Sequence, residues 1–69
     1  MIIELKKFGD ILISREAGGE ALSAFLPTLR LLKENEEIKL NFQGVSVLTP
    51  SWADEFIHPL LEKYGGKNL

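Results

Sequence analysis

The 69-residue chain has no cysteine, and it has one residue each of histidine, methionine, tryptophan and tyrosine. Without cysteine there is neither a disulfide framework nor a thiolate zinc site. A single histidine leaves too few nitrogen ligands for an all-protein transition-metal centre. No apolar run approaches the ~20 residues needed to span a bilayer. The opening "MIIELKKFGD" has no basic segment followed by a long apolar stretch, so it does not read as a signal peptide. There is no excess of basic residues either: eight are scattered against ten acids, for a net charge of −2. A nucleic-acid binder would concentrate its basic residues on one face. Walker loops, G-x-G-x-x-G turns and nucleophile–base–orienter sets are also missing. The expectation is a cytoplasmic protein that is not an enzyme, uses no cofactor, and binds neither nucleic acid nor membrane.

With 45% apolar and 26% charged residues, the chain reads as one globular domain spanning residues 1–69. A chain this short buries only about 60% of the surface it exposes when unfolded. With disulfides and metals excluded, a partner protein or a second copy of the chain is the remaining support.

Two kinds of period alternate along the sequence. Ile3 and Leu5 alternate with Glu4 and Lys6, and "ILI" (Ile11 to Ile13) follows the Gly9-Asp10 turn signal. The two segments could pair as a hairpin. From Glu16 to about Glu34 the period becomes helical, with Gly18, Leu22, Phe25, Leu26, Leu29 and Leu32 on one face. Gly18 would let this helix approach a sheet closely. Pro27 lies off the apolar face, where it either bends one helix or divides two. Glu37 to Gln43 is the clearest strand: Ile38, Leu40 and Phe42 face one way, and Glu37, Lys39, Asn41 and Gln43 the other. One covered and one wet face imply helices on a single side. The last helix runs from about Pro50 to Tyr64, with Ala53, Phe56, Ile57, Leu60, Leu61 and Tyr64 as its buried stripe. The order is β-β-α-β-α. A helix connects "ILI" to the alternating strand, so those two should be parallel neighbours.

"FGDILISREAGG" (Phe8 to Gly19) and "LNFQGVSVLTPSWADEFIHPLLEKYG" (from Leu40) resemble the STAS-like family of small bacterial and archaeal domains, over roughly residues 8 to 65. That family looks related to the STAS domains of sulfate transporters and of antagonists of anti-sigma factors. The resemblance implies an α/β protein of the two-layer α+β kind, truncated, with a mixed sheet and its helices on one face. It also implies a non-catalytic regulatory module whose partner is a histidine-kinase-like ATPase, an anti-sigma-type kinase. Such kinases phosphorylate a serine or threonine at a helix start. By position Ser51 corresponds to that acceptor, and Thr49 is its neighbour. This chain has Thr49-Pro50-Ser51-Trp52 where the STAS pattern reads Asp-Ser-Ser/Thr-Gly, Asn41 in place of an aspartate, and Trp52 in place of a phenylalanine. It reaches Leu69 where the family continues into a further strand. The alternative reading is a structural homo-oligomerisation module, in which a second copy fills the wet face or the missing strand position.

The helix start also has a purely structural reading. Thr49 suits an N-cap with Pro50 at the first helical position, and Ser51-x-x-Asp54 fits a capping box shifted by two residues. If the strands are parallel, Ser14, Arg15, Thr49, Ser51 and Asp54 gather at one rim, where open α/β sheets keep their sites. Arg15 would there pair with Asp54 or cap loop carbonyls; the alternative is a solvated arginine. Trp52 lies about 110° from the stripe's centre on a helical wheel, level with Pro59. It reads either as an interface anchor with Pro59 or as a cover for the margin of the core. Glu55, His58 and Glu62 are spaced one turn apart, which fits a solvated charged face better than a metal site.

Overall fold

The computed structural model describes residues 1–64. Its elements are β1 (Ile2–Glu4), a 3₁₀ turn (Leu5–Phe8), β2 (Ile11–Leu12), α1 (Arg15–Leu29), β3 (Lys39–Asn41), β4 (Val47–Leu48) and α2 (Pro50–Tyr64). It is an α+β arrangement with two helices over short parallel ladders.

The hairpin does not form. Leu5 and Phe8 are three residues apart, so on a 3₁₀ turn both point to the same side. Leu5 is fully buried, and Phe8 packs on Phe25 and Phe56. Burying that pair coils the segment where a hairpin would need it extended. β1 instead pairs in parallel with β3, Ile2 opposite Lys39 and Glu4 opposite Asn41. β2 pairs in parallel with β4, Ile11 opposite Val47 and Leu12 opposite Leu48. "ILI" therefore does have a parallel neighbour, but it is Val47–Leu48 and not the alternating strand. The antiparallel part of the expected mixed sheet was the hairpin, so both ladders are parallel. Partner positions advance together, which lays residues 2–12 alongside residues 39–48 as one interrupted ribbon.

The interruption explains Phe42, expected inside with Ile38 and Leu40 but 47% exposed. The strand ends at Asn41, whose Oδ1 accepts the Gln43 N–H at 2.9 Å, an Asx turn. Gly44 follows with a φ of 85°, and the Lys6 side chain lies against it in the space a Cβ would need.

α1 begins under a Ser14 cap and ends at Leu29, short of Glu34. Pro27 stands in its last turn, exposed as expected, and cannot donate to that turn. The chain then tightens: Leu31 N–H bonds to Thr28 O, and Leu32 N–H to Leu29 O. Both helices cover the same side of the ribbon. Ile3, Leu5, Leu12, Phe25, Leu29, Ile38, Trp52, Phe56 and Leu60 form the core.

Trp52 is fully buried, which corrects its placement at an interface. The stripe of α2 is Trp52, Phe56 and Leu60 at spacings of four, and Leu61 is left 47% exposed. Close helix contact is the cause. A Cβ on Gly18 would come within 2.6 Å of the Trp52 carbonyl oxygen, so the glycine brings α1 onto α2 rather than onto the sheet. Under that contact the indole stacks on Phe56, with centroids 4.8 Å apart, and tilts against Phe8. Its Nε1–H finds no acceptor among the described residues.

Candidate functional site: the rim where both helices begin

β2 and β4 lie side by side and point the same way, and each leads into a helix within two residues. Both helix N-termini therefore open on one rim. Unsatisfied N–H groups and the positive ends of two helix dipoles meet there. The caps follow from residue type. Ser14 Oγ accepts the Ala17 N–H at 3.0 Å. Thr49 precedes Pro50, its carbonyl accepts the Ala53 N–H at 3.1 Å, and its Oγ1 lies 3.5 Å from the Trp52 N–H. Thr49 is thus the N-cap of α2, and the shifted capping box from Ser51 to Asp54 does not form.

Thr49 also ties the two helix entrances together. Its hydroxyl donates to the Ile13 carbonyl at 2.7 Å, and its N–H donates to the Leu12 carbonyl at 3.0 Å. Arg15 reaches across to α2, with Nη2 3.5 Å from Asp54 Oδ2 and Nη1 3.5 Å from Glu55 Oε2. The side chains of all three are about half exposed. These contacts are long and wet, so each contributes at most about 1 kcal/mol. Glu55, read from the sequence as part of a solvated charged face with His58 and Glu62, is Arg15's second partner. The missed signal was Gly18-Gly19, which draws α1 against this turn of α2. A shallow groove lined by Arg15, Glu16, Gly19, Glu20, Ser23 and Glu55 continues from the rim between the helices.

The structure thus brings Ser14, Arg15, Thr49, Ser51 and Asp54 to one end of the molecule. Ser51, half-buried in the first turn of α2, makes no side-chain hydrogen bond among the described residues. Trp52 is removed from the surface, and Pro59 is half-buried further along α2. His58 Nε2 lies 3.6 Å from Glu62 Oε1 on an exposed face. Among the described residues no three His, Cys, Asp or Glu side chains converge on a metal position. Nor, among them, is any helix long and apolar enough to cross a membrane.

A family described as "STAS-like domain of unknown function (DUF4325)" matches residues 27–69, a span that contains Thr49, Ser51, Asp54 and Pro59 and begins after Ser14 and Arg15. No curated protein and no solved structure matches the chain. The matched span covers more than half of the sequence and takes in β3, β4 and α2, so the chain belongs to the STAS-like domain family.

Proposed function

We propose that this domain is a non-catalytic regulatory module. It docks a protein partner on the rim and adjoining groove, and phosphorylation at Ser51 switches the docking. The observation that carries this reading is the division of labour between two neighbouring hydroxyls. Thr49 Oγ1 is committed to the Ile13 carbonyl and the cap, while Ser51 lies in the first helical turn with its hydroxyl uncommitted. A phosphoryl group there would add nearly two negative charges and three acceptor oxygens. A helix N-terminus accommodates such a group without unfolding. The surroundings already carry Glu16, Glu20, Asp54 and Glu55 around a single Arg15. The matching partner surface is basic, and added phosphate would compete with the nearby acids for Arg15. An ATPase of the histidine-kinase-like, anti-sigma type is the partner this reading favours.

The direct test is to incubate the protein with such a kinase and ATP and weigh it. The expected result is the mass of one phosphoryl group on Ser51, none on Thr49, and none in Ser51→Ala. A wild-type chain of unchanged mass would end the switch hypothesis. Kinase binding that is retained by wild type and lost in Glu20→Lys, which reverses one of the groove's acids, would still support docking on the rim.

A further inference from the structure

The ribbon has a second face that the helices do not cover. Side chains alternate along a strand, and residues opposite each other in a ladder share a face. Ile3 and Leu12 point to the core, so Ile2, Glu4, Lys39 and Asn41 of one ladder and Ile11 and Val47 of the other point outward. Ile13 continues the outward row beyond Ile11. Ile2, Ile11, Ile13 and Val47 are 65%, 56%, 52% and 44% exposed. Ile11 lies opposite Val47 in the ladder and Ile13 is the next residue on the same face, so the three form one exposed apolar row, and exposed apolar patches on a monomer are often functional. Parallel ladders with one bare face are also rare, because purely parallel sheets occur almost only with both faces covered.

We propose that this face is the interface between two copies of the chain, related by a two-fold axis. Charge selects the occupant. The helical side carries Glu16, Glu20, Asp54, Glu55 and Glu62 against Arg15, Lys63 and the C-cap Arg30, so apposing two copies there places a net acidic surface on itself. The ribbon face carries Glu4 and Glu37 with Lys39, which lies 3.9 Å from Glu37 of its own chain, so acid and base sit side by side there. In an isologous contact each copy offers its acid to the other's base. Size agrees. A stable interface buries about 800 Å² per partner, about a sixth of the 4582 Å² that the chain exposes. The face reaches the edge of the rim at Ile13, next to Ser14, and its test does not depend on the docking proposed there.

Sedimentation equilibrium of the whole chain tests the proposal, together with Ile11→Glu and Val47→Lys. Both substituted positions are exposed in the monomer, so helical circular dichroism should be retained. The expected result is a wild-type dimer whose dissociation constant rises at least about tenfold in either variant. Because the chain has no cysteine, Ile13→Cys gives a second readout. Under mild oxidation it should form a disulfide-linked dimer with native circular dichroism, whereas Ser23→Cys on α1 should not. A wild-type monomer at several hundred micromolar overturns the proposal. So does a dimer that survives both charge substitutions, or one that cross-links through Ser23→Cys in preference to Ile13→Cys.

Discussion

A threonine hydroxyl has one proton to donate and two lone pairs to accept with. Thr49 gives its proton to the Ile13 carbonyl and turns a lone pair toward the Trp52 N–H. Thr49→Val keeps the shape and loses both bonds, for an expected cost of about 1–2 kcal/mol. Thr49→Ser should recover most of it. Urea unfolding followed by Trp52 fluorescence measures this, since the only tryptophan is fully buried. Equal stability of wild type and Thr49→Val would show that the bond to Ile13 contributes nothing. Ser51→Ala, by contrast, removes no hydrogen bond and should shift stability by less than about 0.5 kcal/mol.

Both helices were legible in the sequence because fifteen residues carry several turns of apolar period and each begins at a hydroxyl cap. The pairing of strands was not. Ladders of two or three residues contain too little alternation to name a partner, and "ILI" fits Val47–Leu48 as readily as Lys39–Asn41. The orientation of α2 was misread by one position because the wheel of an isolated helix does not register a neighbour pressing on it. Here the neighbour is Gly18, and it tests the helix contact. Gly18→Ala brings a methyl to within 2.6 Å of the Trp52 carbonyl oxygen and to 3.2 Å from its Cα, backbone that cannot step aside. Overpacking of this kind costs about 1–3 kcal/mol and should lower the thermal midpoint. The change also favours helix in α1 itself, so any loss measured understates the clash. A midpoint that rises would mean the helices are not in contact at this point. The gathering of Arg15 and Asp54 was readable from topology, whereas Glu55 was not, because adjacent helical residues usually point 100° apart.

At the scale of the molecule, the ribbon is closed at its first pair by the chain's own amino group. Met1 N lies 2.6 Å from the Glu37 carbonyl oxygen and 3.0 Å from Glu36 Oε2, and the Lys39 N–H donates to the Met1 carbonyl. The Lys33 N–H also donates to Glu36 Oε1. That bond first, and the amino group second, hold the Glu36 carboxyl below the usual glutamate range. The sign follows. A folded value below the unfolded one gives stability that is complete above the ordinary glutamate pKa and is lost as pH falls through the lowered value. Wild type should therefore lose more stability than Glu36→Gln between neutral pH and pH 3, as read from urea midpoints. Parallel loss in the two proteins would remove Glu36 from the acid response.

Every ladder, and the seat of α2 on α1, joins residues 1–30 to residues 38–64; neither part has a strand pair of its own. Such long separations must be closed before any ladder forms, which delays folding relative to a local helical hairpin. During translation the leading half thus leaves the ribosome with nothing to zip against, and its isoleucines stay bare until the trailing half follows. Chopped at the Lys33–Glu36 turn, the two pieces should remain unstructured apart and regain helicity only when mixed.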